Sequence, residues 1–437
     1  MRNNNNWYRL DNMAKMYPIL ATPRTESLYR LSVNLTEDIN PELLQIALQD
    51  ILPRFPSMKV KLRRGIFWYF FEENDNKPVI FKDDGIVLKK IDRKKNRHYL
   101  FRVLYYNSRL AVEFFHVISD GKGATEFVKC LTYRYLELTG KEFHMRDNIL
   151  HYSDSPKPEE LEDSLESNAG NISYRSMINK VRGEIKIPPT FKVPSPIYNL
   201  PGFGVIDATM DTEALLKAAR SRDISITVYL SAVLLYSVYK NYKMPEIEKV
   251  LSIFIPIDLR KFYNSHTLRN FVTYSRAGII CSSSSEYELE DFIRTVEDNL
   301  KQNVNKEKFD DTLMGMSMIS NFIPFRLLPL PIKYFAMKIG RMFANHTRHT
   351  VIISNLGKTY FPQETLPFIK SIGVNVNVVK NTPLSLGVAT LENTTRLVFT
   401  TMLRDNVVIK EFFGILADDG ISIDVESNLR EDERYVL

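Results

Sequence analysis

The segment Ala111-Val112-Glu113-Phe114-Phe115-His116-Val117-Ile118-Ser119-Asp120-Gly121-Lys122-Gly123 carries the residue types and spacing that most directly suggest chemistry. An apolar strand ends at His116, and a tight turn with two glycines follows. A helix then begins, with Phe127, Val128, Leu131, Tyr135 and Leu138 on one face and Gly140 as its stop. A histidine at the end of a buried strand has one ring nitrogen held by local backbone and the other free to take a proton, as a general base requires. Asp120 and Gly121 would shape the turn. The same pattern also suits a plain strand-turn-helix junction around a core histidine.

Other catalytic signatures are missing from the sequence. There is no Gly-x-Ser-x-Gly elbow for a serine nucleophile, and neither of the usual glycine-rich phosphate loops occurs. Cys130 falls on the helix face after the motif and reads as a buried structural thiol, and Cys281 stands far from it with no Cys-x-x-Cys pairing. His346 and His349 have i, i+3 spacing, but no third ligand stands near them, so no metal site is assigned. His98, His144, His151 and His266 have no motif context.

The elements around the motif suggest two similar units. Leu31 to Leu35 alternates like a strand, and Asn40-Pro41 supplies an N-cap and a first-turn proline to a helix with Leu43, Leu44, Ala47, Leu48 and Ile51 on one face. The order recurs at Val205 to Met210, with Asp211 or Thr212 as cap and Leu215, Leu216 and Ala219 as the apolar face. Between them, from Ser153 to about Pro201, runs a polar, proline-rich stretch. The expected organisation is a front lobe over 1–152, a linker or crossover over 153–201, and a rear lobe over 202–437. Further strands are expected at Lys249 to Pro256, Thr350 to Asn355, Ile372 to Val379 and Arg396 to Met402, and a helix at Glu286 to Asn303. The last two strands are too close for a helical crossover, so the rear sheet should be mixed.

These residues carry a resemblance. His-x-x-x-Asp-Gly at this depth resembles the motif of the superfamily that contains chloramphenicol acetyltransferase, alcohol acetyltransferases and the condensation domains of peptide synthetases. Pro256-Ile257-Asp258-Leu259-Arg260, Arg269-Asn270-Phe271 and Ser354-Asn355-Leu356-Gly357 look like the Pro-x-Asp-Leu-Arg, Arg-Asn-Phe and Ser-Asn-x-Gly signatures of alcohol acetyltransferase-like proteins, in the same order. Trp7 to Asn12 and Leu52 to Ser57 also fit that group, so the likeness covers nearly the whole chain.

The resemblance implies an α/β (α+β) fold of two chloramphenicol-acetyltransferase-like lobes, with mixed sheets flanked by helices and a tunnel between the lobes that holds the histidine near its middle. It implies acyl transfer from a thioester to an alcohol or amine, with His116 as base and no covalent acyl-enzyme. Asp120 would pair with an arginine, either Arg260 or Arg269, to hold the histidine loop, and Gly121 would let backbone approach the thioester. Asn270 and Gly357 belong to the supporting set, and Ser354 and Asn355 would donate to the substrate or oxyanion, or else simply end a strand at a turn. Condensation domains usually place a second histidine where Phe115 stands, which favours a free acyl-CoA co-substrate; no tightly bound cofactor is expected. An acyl carrier protein thioester is the alternative donor, and a carrier-dependent condensing enzyme the first rival. The second rival is a non-catalytic protein that binds a lipid-like ligand.

Composition agrees with such an enzyme. The 437 residues are 44% hydrophobic and 25% charged, which excludes disordered, collagen-like and disulfide-stapled classes. A net charge of +6 is too small to argue for nucleic acid. The asparagine-rich start lacks the form of a secretory signal, so a reducing cytoplasm is expected. Met318 to Phe343 is apolar but interrupted by three prolines and by Arg326, Lys333, Lys338 and Arg341, so no transmembrane segment is expected. Core or channel lining is the preferred role for this stretch, with peripheral membrane contact as the alternative. The basic run Lys89 to His98 is expected on a hairpin between strands. A monomer acting on a small-molecule acceptor completes the expectation.

Overall fold

The computed structural model describes residues 7–21, 26–168, 188–197, 202–321, 323–343 and 349–428. Residues 169–187 and 198–201 of the polar stretch, and His346, lie outside the described residues. The strands in chain order are β1 (Trp7–Arg9), β2 (Leu28–Leu35), β3 (Val60–Arg64), β4 (Tyr69–Glu73), β5 (Ile80–Lys82), β6 (Phe101–Tyr106) and β7 (Arg109–Phe115). After the polar stretch come β8 (Gly204–Asp211), β9 (Lys249–Asp258), β10 (Val272–Cys281), β11 (Val351–Lys358), β12 (Ile369–Asn375), β13 (Leu384–Leu391), β14 (Thr394–Thr401) and β15 (Ile423–Ser427). The principal helices are α1 (Pro41–Ile51), α2 (Gly121–Leu138), α3 (Thr212–Arg220), α4 (Ile226–Asn241), α5 (Leu289–Asn303), α6 (Lys306–Asn321), α7 (Ile323–Leu327), α8 (Leu330–Phe343) and α9 (Val407–Asp418).

Local chemistry sets the two repeated units. The Asn40 side chain accepts from the N–H groups of Glu42 and Leu43 and starts α1, whose Leu44, Ala47, Leu48 and Ile51 are buried. Asp211 does the same for α3 through the N–H of Ala214, and Leu215 and Ala219 are buried on its inner face. In the front lobe the strands run in the order β12-β2-β7-β6-β5, and in the rear lobe β10-β9-β11-β13-β14-β8-β15. A small sheet, β1-β4-β3, adds to the front lobe. The rear sheet is mixed: β11 runs parallel to β9 and β13, and its other pairs are antiparallel. Each lobe has its own apolar core, α2 packing in the first and α4 in the second. Each fully buried Leu, Val or Phe there contributes about 1.5–3 kcal/mol.

Two features differ from the sequence-based expectation, and a third adds to it. The strand at 369–375 belongs to the front sheet, where β12 pairs antiparallel with β2, Ile372 opposite Val33. One strand of the rear stretch therefore completes the front lobe. The stretch 83–100 is not a hairpin, because β5 and β6 run parallel and the chain must cross over between them. Within it Lys94 and Lys95 are exposed, with their N–H groups donating to Asp92, while Arg93 pairs with Glu26 at 2.8 Å. The described start of the polar stretch is docked rather than free: Glu160 is buried and accepts both terminal nitrogens of Arg54 at 2.6 and 2.7 Å.

Candidate active site

The front strand β7 delivers His116 to the lobe interface, and Asp120, four residues on, starts α2. The Asp120 carboxylate is buried. It accepts from the N–H groups of Lys122 and Gly123 at the helix N-terminus and from the N–H of Phe271 in the rear lobe. Arg260 completes the set with a two-pronged ion pair, Nη1 to Oδ2 at 3.0 Å and Nη2 to Oδ1 at 3.1 Å. Of the two arginines open at the sequence level, Arg260 reaches Asp120 and Arg269 does not. Arg269 donates to the carbonyls of Leu161 and Arg9 and approaches Asp11 at 3.5 Å. Both oxygens of Asp120 are thus occupied, and the carboxylate ties the turn and the start of α2 to the rear lobe.

His116 is turned by a second contact across the lobes. Its Nδ1 lies 3.0 Å from Oδ1 of Asn270. The amide nitrogen of Asn270 donates to the buried Asp11 carboxylate at 3.4 Å, which leaves its oxygen for the ring. Nδ1 therefore carries the proton, and Nε2 holds the free lone pair. The sequence anticipated local backbone as the ring's holder; beside that contact the structure supplies a side chain 154 residues away. Tyr17 stacks on the imidazole at 4.6 Å and Tyr29 tilts against it at 4.9 Å. Burial pulls the imidazole below its ordinary pKa, against the opposing pull of Asp120, which favours the neutral ring.

The turn between His116 and Asp120 is fixed by backbone closeness. Ser119 donates to the carbonyl of Leu268 at 2.6 Å, and Tyr29 donates to the carbonyls of Ser119 and Asp120. A Cβ on Gly123 would stand 2.1 Å from the Leu268 oxygen, so the rear lobe presses directly on the first turn of α2. A Cβ on Gly121 would stand 2.9 Å from Leu356.

A cavity of about 470 Å³ opens beside this junction, lined by Gly121 and Thr125 from the front lobe and by Asp258, Ser354, Asn355 and Tyr360 from the rear. Asn355 donates to Thr227 and accepts from the N–H of Gly357, whose φ is +71°; the two hold a bulge in β11. A separate space of about 40 Å³ touches Ile118 and Arg269. The resemblance implies one tunnel with the histidine near its middle. His116 is not among the residues that line these two spaces, and Tyr17 and Tyr29 pack against its ring. Cys130 is buried, and burial pushes its thiol far up, so it stays protonated.

Sequence reasoning missed Asp11, Tyr17, Tyr29, Ser119 and Gly123 as parts of the site. Asp11, Ser119 and Gly123 lie inside stretches already singled out, whereas the two tyrosines carry no local signal.

No family model matches this chain, and no curated protein matches it. Solved structures do. Polyketide synthase associated protein 5 from Mycobacterium tuberculosis is 12% identical, with a TM-score of 0.59 over 94% of this chain and 97% of that one. The nonribosomal peptide synthetase FmoA3 is 11% identical, TM-score 0.60, over 96% of this chain, which spans 42% of the FmoA3 chain. TRI3 trichothecene 15-O-acetyltransferase from Fusarium sporotrichioides is 10% identical, TM-score 0.57, over 94% of both chains. The fold is therefore the chloramphenicol-acetyltransferase-like fold shared by condensation domains and such acetyltransferases.

Proposed function

We propose that this protein transfers an acyl group from a thioester, acyl-CoA in the first instance, to a hydroxyl or amine, with His116 as general base. Nε2 takes the proton of the acceptor, whose oxygen or nitrogen attacks the thioester carbonyl. The tetrahedral intermediate collapses with cleavage of the C–S bond, and the leaving thiolate recovers the proton from the imidazolium. The observation that carries this reading is the locked histidine: Asn270 fixes the tautomer with Nε2 unprotonated, and the Asp120–Arg260 pair fixes the loop. A trichothecene acetyltransferase among the fold neighbours supports an acetyl-type transfer. A single chain that holds both lobes supports a monomer, and two buried free cysteines suit a reducing compartment.

The second reading is a carrier-protein thioester as donor. It is favoured by the polyketide-synthase-associated and peptide-synthetase neighbours and by the exposed Lys94 and Lys95, which suit an acidic carrier. Thiol release from purified protein, supplied with acyl-CoAs of several lengths and a pool of alcohols and amines, tests the first reading. Acceptor-dependent release should fall on the order of 10²–10⁴-fold in His116→Ala. Release only from acyl carrier protein would shift the donor to the second reading. No release from either donor would leave the ligand-binding reading.

A further inference from the structure

The sequence favours core or channel lining for the apolar stretch at 318–343, and the structure puts part of it on the outside. Ile66 and Phe67, in the β3–β4 turn, are 73% and 41% exposed. Beside them stand Leu327 at the end of α7 and Ile332 and Phe335 on α8, at 63%, 49% and 66%. The two elements are tied into one surface. Leu330 N–H donates to the carbonyl of Ile66 at 2.9 Å. The buried Lys333 ammonium donates to the carbonyls of Phe67 and Arg326 and lies 3.7 Å over the Trp68 ring. A buried lysine thus holds apolar side chains outward in a fixed arrangement, where they gain nothing from burial in this chain.

The charge carried by the segment itself has one sign. Arg64 and Arg326 are exposed at the patch. From 312 to 343 the sequence holds Arg326, Lys333, Lys338 and Arg341 and no acidic residue, and the next carboxylate is Glu364. The apolar groups sit on a turn and a helix surface and line neither cavity at the motif. Projecting apolar side chains with a cationic surround match the boundary between lipid headgroups and acyl chains, where apolar burial and attraction to anionic phosphates act together.

We propose that this face docks the protein peripherally on an anionic lipid bilayer, with Ile66, Phe67, Leu327, Ile332 and Phe335 below the headgroups and Arg64 and Arg326 among the phosphates. The contact is independent of the acyl-transfer reading and needs no membrane-spanning helix; no helix among the described residues is long and apolar enough to be one.

Flotation of the full chain with phosphatidylcholine vesicles, with and without about one-third phosphatidylglycerol, tests it. Wild type should float with the anionic vesicles, and raising salt to about 1 M should weaken the binding. The combined variant Ile66→Ser, Leu327→Ser, Phe335→Ser and, separately, Arg64→Glu, Arg326→Glu should each bind anionic vesicles about tenfold more weakly. Ile247→Ser removes an equally exposed apolar side chain elsewhere, 74% exposed, and should float like wild type. The proposal is overturned if wild type ignores anionic vesicles or if the patch variants bind as wild type does. Equal loss with Ile247→Ser also overturns it. So does a wild-type dimer that becomes a monomer in the serine variant, because the occupant is then a second copy of this chain.

Discussion

Asn270 decides which nitrogen of His116 carries the proton, and this makes it separable from the histidine by experiment. Replacing it with alanine frees the ring to take the other tautomer, and kcat/KM for thiol release should fall by at least about tenfold without loss of fold. Asn270→Asp makes a sharper test. Burial holds the His116 pKa below the usual value of about 6.5, so the acid limb of activity should lie below that pH, with activity rising as the ring deprotonates. A carboxylate 3 Å from Nδ1 would favour the imidazolium, so the limb should move to higher pH. An unmoved limb in the aspartate variant would mean that the titrating group is not His116. Asn270 was legible in the sequence as a member of Arg269-Asn270-Phe271, but its contact was not. Spacing along a chain carries no information on which side chains meet across 154 residues, and the choice between Arg260 and Arg269 was open for the same reason.

At the scale of elements, the two ends of α2 carry glycines with opposite reasons for being glycine. Gly140 ends α2 with φ at +87° and open space around it, so Gly140→Ala should cost only about 1 kcal/mol of backbone strain. Gly123 has no such conformation, but its missing Cβ makes room for the Leu268 carbonyl and the Ser119 hydroxyl. Gly123→Ala should cost about 1–3 kcal/mol or more in urea unfolding and should also depress activity by shifting the Asp120 turn. Comparable losses of stability and activity from both variants would contradict this account. The helix stop at Gly140 and the caps at Asn40 and Asp211 were readable in sequence because each acts within a few residues. The strand β13 was not singled out: its eight residues are all buried, and a strand covered on both faces lacks alternation. The outward face of α7 and α8 was misjudged because apolar content does not say which neighbours are available to cover it.

For the whole molecule, the exchange of β12 matters more than the near-repeat of the two lobes. A chain of two consecutive lobes could unfold one at a time, but here residues 369–375 lie in the front sheet while β11 and β13, on either side in sequence, lie in the rear sheet. The sheets also touch where β12 passes. Arg396 from β14 lies over Gly373, and the carbonyl of Val374 comes so near Gly387 of β13 that an added Cβ would stand 1.9 Å from it. Asp120, Arg260, His116 and Asn270 make further bonds across the same boundary, so the proposed active site exists only while both lobes are folded together. Gly387→Ala, a change in the rear sheet, should therefore destabilise the front lobe as well. The two tryptophans, Trp7 and Trp68, both belong to the front lobe, and Trp68 is also packed by Phe325 and Lys333, so their fluorescence reports that lobe and its contact with these residues, whereas far-ultraviolet circular dichroism reports both lobes throughout. In wild type the two signals should follow one denaturant transition, and in Gly387→Ala both midpoints should fall by the same amount. A fluorescence midpoint that stays put while the dichroism midpoint drops would show that the lobes unfold independently and that β12 is a loose strap.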